Sequence, residues 1–158
     1  MYFANLSEQA GVDAFDVAYE MANLTTDQEY TAQWNTIIDG VEAVYNGQIT
    51  ANFLNPVEAQ QAVFLNRLDT VMTSIFYKHV ATGNNNPTVA ELVESWTDTS
   101  TDLASVIDMN KWGIWGINDS IMNEIEAIHT IRGKPVMIGD MAFISLDGAA
   151  SNWNYTFG

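Results

Sequence analysis

Cysteine is absent from this sequence, which excludes a disulfide framework, a zinc–thiolate site and an iron–sulfur cluster, and leaves stability to packing. Cations are nearly as scarce: five lysines and arginines stand against 20 carboxylates, for a net charge of −15. A nucleic-acid surface needs Lys and Arg to neutralise phosphates, and an anionic membrane attracts polybasic segments, so the sequence predicts neither partner. No run approaches the roughly 20 apolar residues of a membrane span. The first residues, Met1 to Glu8, have neither the basic nor the apolar region of a signal peptide. Synthesis in the cytoplasm without a cleavable signal is the matching expectation.

Charged residues of both signs make up only 16% of the chain, so Asn, Thr, Gln and Ser must cover most of its surface. With 47% hydrophobic residues over 158 positions, the chain can bury a sizeable core, and a single domain over 1–158 is expected.

Helix-start signals punctuate the first two thirds. Ser7 precedes Val12, Phe15, Tyr19 and Ala22; Thr26-Asp27-Gln28-Glu29 has the form of a capping box; Asn55-Pro56-Val57-Glu58 sets a cap, a first-turn proline and a carboxylate in order; Thr88-Val89-Ala90-Glu91 is a further box. Apolar residues follow each at helical spacing, which predicts helices over 8–22, 27–46, 56–81 and 88–105. Phe15, Trp34, Ile37, Phe64, Leu68, Val71 and Ile75 are the expected core. Isoleucines at 107, 114, 121 and 128 form a seven-residue ladder, the pattern of a helix lying along a partner, with Gly113 and Gly116 marking a break or a close approach.

After Gly133 the period changes. Val136-Met137-Ile138 and Met141 to Leu146 read as two short strands joined at Gly139-Asp140, and Trp153 to Phe157 alternates like a third. The predicted fold class is therefore α+β, mainly α: a bundle of four to five helices over 1–132 with a small antiparallel β-element over 133–158.

Chemistry-bearing motifs are few. Glu126 and His129 sit at i and i+3, half of the pattern that di-iron bundles use twice, but the other histidine, His79, has Phe76 at the matching position. No nucleophile elbow, phosphate-binding glycine pattern or EF-hand loop is present. Asp13, Asp16 and Glu20, like Asp98 and Asp102, read as solvated acidic faces. On this reading there are no catalytic residues, no metal and no cofactor. The aromatic residues Trp112, Trp115, Trp153, Tyr155 and Phe157 are the candidate interface, because Trp and Tyr dominate association hot spots and an aromatic β-tail must pair with an edge. The composition thus predicts a non-enzymatic, homo-oligomeric subunit of a larger assembly, of the kind found in virus or bacteriophage particles, located in a virion or extracellular assembly. Its partners would be other copies of itself and further assembly proteins. The alternative is a metal-binding helical bundle or enzyme using Glu126 and His129.

Overall fold

The computed structural model of the chain describes residues 1–75, 84–97 and 120–141. Its centre is a four-stranded, wholly parallel sheet in the order β1-β2-β3-β4: β1 Ala14–Tyr19, β2 Gln48–Phe53, β3 Thr70–Ser74 and β4 Val136–Asp140. This corrects the helical-bundle expectation. Parallel neighbours require crossover connections, and helices supply them. Helix α1 (Tyr2–Ala10) precedes β1. Between β1 and β2 lie α2 (Asn23–Thr26) and α3 (Thr31–Glu42); α4 (Pro56–Gln61) links β2 to β3; α5 (Val89–Glu94) and α6 (Ile121–Arg132) fall between β3 and β4.

The predicted helix over 8–22 is thus a short helix followed by a strand, and that over 56–81 is one helical turn and a half followed by β3. Leu68, Val71 and Ile75 satisfy helical spacing, but they belong to a strand and its flanks. A short apolar run cannot be assigned by period alone, and here tertiary pairing decides it. The Gly139-Asp140 hairpin is also absent: Val136–Asp140 is one strand that pairs parallel with β3. Residues 142–158 lie outside the described residues, and with them all but Met141 of the predicted strand Met141 to Leu146 and the whole of Trp153 to Phe157; half of the isoleucine ladder, Ile107 and Ile114, and all five interface aromatics also lie outside them.

Local signals that hold are the caps. Asn55 Oδ1 accepts from the Glu58 amide at 2.8 Å, and Thr88 and Glu91 form a reciprocal capping box. Thr26 caps nothing; Asp27 does, accepting from the Glu29 amide at 2.9 Å. On α3 the buried residues are Trp34, Ile38 and Val41, a stripe at i, i+4 and i+7 facing the sheet. Ile37 lies beside that stripe and is exposed. Phe53, Phe64, Leu68, Val71, Ile75 and Ile128 are fully buried, and Phe15 is half-buried. The rings of Trp34 and Phe64 stack with centroids 4.4 Å apart, and the Trp34 indole donates to the Leu24 carbonyl at 2.6 Å. Burying a side chain such as Phe64 contributes about 1.5–3 kcal/mol, so this layer beneath the sheet carries the stability.

Candidate active site

A parallel sheet brings the carboxyl ends of all its strands to one rim, and in open or barrel-shaped α/β folds that rim is where ligands bind. Here it collects Tyr19 from β1 and Glu20 just past it, Asn52 from β2, Ser74 from β3 and Asp140 from β4. The sequence reading missed all five as functional residues. It placed Glu20 on a solvated helix face and Asp140 in a turn.

Register explains how they converge. From Asp16 to Tyr19 is three residues, whereas their partners Thr50 and Asn52 are two apart; likewise Ile138 and Asp140 are two apart against partners Thr73 and Ser74, which are adjacent. Each edge strand thus gains one residue near its carboxyl end. Side chains alternate across a strand, so one extra residue moves the next side chain to the other face. Without the two irregularities Ala18 and Gly139 would occupy the positions that Tyr19 and Asp140 hold. The result is a hydrogen bond from Tyr19 Oη to Asp140 Oδ2 at 3.1 Å. A flat sheet would set β1 and β4 about 14 Å apart, three spacings of about 4.8 Å, so this contact bridges the carboxyl rim across β2 and β3.

The second carboxyl is held in a chain. Asn52 Nδ2 donates to Ser74 Oγ at 3.3 Å, and Ser74 Oγ donates to Glu20 Oε1 at 2.5 Å. The Glu20 amide donates to the Asn52 carbonyl at 2.8 Å. Asn52 is buried against β4, and a Cβ at Gly139 would stand 2.5 Å from Asn52 Oδ1, so only glycine lets the two approach. That Oδ1 has no hydrogen-bond partner, and buried orphans of this kind concentrate at functional sites. Glu20 and Ala22 adopt φ of 48° and 40°, a conformation costing a non-glycine residue roughly 1–3 kcal/mol. The strain lies on the turn that carries Glu20. Acceptance by Asp140, together with neighbouring negative charge, raises the Tyr19 phenol above its ordinary value, so Tyr19 remains a donor to Asp140.

The Glu126–His129 pair of the alternative reading is not at this rim. Glu126 and His129 are both exposed on α6, and His129 Nδ1 lies 3.1 Å from the Lys134 carbonyl. Among the described residues no group of three or more His, Asp or Glu side chains could hold a metal ion. No described helix is long and apolar enough to cross a membrane.

The structure is similar to that of the β-mannanase AaManA from Alicyclobacillus acidocaldarius, a family 113 glycoside hydrolase solved in complex with ManMIm. The match has 19% identity and a TM-score of 0.57 and covers 99% of this chain but 38% of that one. Two further family 113 β-1,4-mannanase structures match: one at 21% identity and TM-score 0.43 over 53% of this chain and 25% of that one. The other, a complex, matches at 17% and 0.45 over 87% and 48%. The chain therefore spans less than half the length of each. No protein of curated function matches the sequence. The fold is that of the parallel-stranded (β/α)8 barrels, with four strands among the described residues, and not a bundle carrying an antiparallel element. The family model for glycoside hydrolase family 113 matches residues 1–156, which overturns the reading as a non-enzymatic virion subunit: the chain belongs to glycoside hydrolase family 113.

Proposed function

We propose that this chain supplies the carboxyl pair of a glycosidase, Glu20 and Asp140, and that the substrate is a β-1,4-linked mannan. The observation that carries the reading is the rim itself: two carboxyl side chains from opposite edges of one parallel sheet, each placed by a strand irregularity or a strained turn, and each held by its own hydroxyl donor. Glycoside hydrolysis needs two carboxyl groups flanking the scissile bond, one protonating the leaving oxygen and one acting as nucleophile or base. The Tyr19 hydroxyl donates to Asp140, and Glu20 is fixed through Ser74 and Asn52, so both carboxyls of the pair are held in place. The mannan assignment rests on the family and on the mannanases it resembles.

The test is release of reducing ends from β-1,4-mannan and manno-oligosaccharides. A positioned general acid or base contributes typically 10²–10⁴-fold, so Glu20→Gln should lower kcat by about that factor while leaving the melting temperature nearly unchanged. Undiminished hydrolysis by Glu20→Gln, or no hydrolysis of any β-linked mannoside by the wild type, would sink the reading.

A further inference from the structure

Glu58 is the most deeply buried carboxyl among the described residues, with 0% of its surface exposed. It lies on α4, just past the end of β2, and faces the turn that follows Glu20. The cations Arg67, Arg132 and Lys134 are engaged elsewhere: Arg67 with Asp39 and Glu42, Arg132 with the Gln60 carbonyl, Lys134 with the Asn66 and Leu68 carbonyls. The partners of Glu58 are instead neutral. Its Oε1 lies 2.5 Å from Thr25 Oγ1, and its Oε2 accepts from the Leu54 amide at 2.8 Å. The Ala22 amide also points at the carboxyl.

Counting hydrogens decides the state of this group. Thr25 Oγ1 makes two contacts at 2.5 Å, one to Glu58 Oε1 and one to the Ala22 carbonyl. A threonine hydroxyl carries one hydrogen, and a carbonyl oxygen carries none. Two oxygens that close cannot face one another without a proton between them, so the threonine hydrogen points at the Ala22 carbonyl. The hydrogen between Thr25 and Glu58 must then come from Glu58. Its other oxygen, accepting from Leu54, behaves as the carbonyl of a carboxylic acid. We propose that Glu58 is a neutral, proton-bearing positioning residue whose Oε1–H donates to Thr25 Oγ1 and so fastens the strained turn that aims Glu20.

The chain of bonds runs from Glu58 to Thr25 to the Ala22 carbonyl, and Ala22 is, with Glu20, one of the two non-glycine residues held at positive φ among the described residues. Burial, the largest influence on Glu58, pushes its carboxyl up and outweighs the hydrogen bonds of Thr25, Leu54 and Ala22, which pull it down; the negative charge of Glu20 adds a smaller push upward. Glu20 is the titratable group whose charge reaches it; on the opposite side, Glu124 of α6 is tied to the Gln60 amide at 2.6 Å. A proton on Glu58 thus removes a like charge from behind Glu20 as well as closing the clasp.

The positioning role rests on the proposed role of Glu20, but the protonation state is tested without activity. Infrared difference spectra of the wild type minus Glu58→Gln at about pH 6, well above the ordinary glutamate value of about 4.3, should show the carbonyl band of a carboxylic acid. A carboxylate band there instead overturns the proposal. The stability profile gives a second readout. A carboxyl that keeps its proton longer when folded makes the protein lose stability as pH rises from the ordinary glutamate range to the folded value. Glu58→Gln lacks that loss, so its melting temperature should gain on the wild type across the same window; a growing deficit would contradict the neutral state. For positioning, Glu58→Gln should keep kcat within about threefold, while Thr25→Val, which breaks the clasp without touching the carboxyl, should lower kcat about tenfold or more with little change in KM, because small misplacements of a catalytic group are costly. Unchanged kcat in Thr25→Val refutes the positioning role. If the wild type hydrolyses nothing, the role of Glu20 fails while the infrared band still decides the proton on Glu58.

Discussion

The two ends of the sheet are built on opposite principles. At the amino end, polar groups are matched: Asp69 Oδ2 accepts from the Ile49 amide at 2.8 Å, the Tyr45 hydroxyl donates to the Val12 carbonyl at 2.8 Å, and Glu8 takes both the backbone and the side-chain amide of Asn46. At the carboxyl end lie, among the described residues, both positive-φ non-glycine residues, both buried polar side-chain atoms without a partner, Asn52 Oδ1 and Asn55 Nδ2, and the two carboxyls of the proposed pair. The difference shows where this fold stores strain and where it does not. In barrels of this type the lower face serves stability and the upper face chemistry, and this sheet follows that division.

Mutations at the two ends should separate accordingly. Leu68 is fully buried just ahead of β3. Leu68→Ala should cost about 2–5 kcal/mol in chemical denaturation and leave kcat of the folded fraction unchanged. A drop in kcat without loss of stability would show that the ends are not independent. Asp69→Ala strands the Ile49 amide, so a loss of about 1–3 kcal/mol is expected, again with kcat intact. The smallest effect lies at the upper end. The hydrogen bond to Asp140 holds the Tyr19 phenol above its usual value of about 10, so Asp140→Asn should move one tyrosine titration downward. Absorbance titration measures this, with Tyr19→Phe identifying the group; an unmoved curve would mean that the two side chains do not meet.

The sequence made part of this arrangement legible. The cap at Asn55-Pro56, the capping box at Thr88 and the burial of Trp34, Phe64, Leu68, Val71 and Ile75 all depend on local chemistry or simple apolarity, and they survive in the structure. The strands were hidden because β1 and β3 are short and their residues also fit a helical period, while β2 is buried along Ile49–Phe53 despite carrying Thr50 and Asn52. A strand covered on both faces loses the alternation that would reveal it. The site was hidden for a different reason. Tyr19 and Asp140 are 121 residues apart, and what joins them is one extra residue in each edge strand, a feature of pairing that no single segment displays. Glu20 looked like one carboxylate in an acidic helix face because the strand bearing it was read as a helix.

The central claim is that the carboxyl rim of this sheet works as a glycosidase while its core supplies the stability. Asp140→Asn tests it most directly, with mannan hydrolysis and thermal melting measured on the same sample. The account predicts a loss of activity of about 10²–10⁴-fold, comparable to removal of a positioned acid or base, with a melting temperature equal to or above that of the wild type. Full activity in the variant, or a loss of activity matched by a fall in melting temperature, would contradict it.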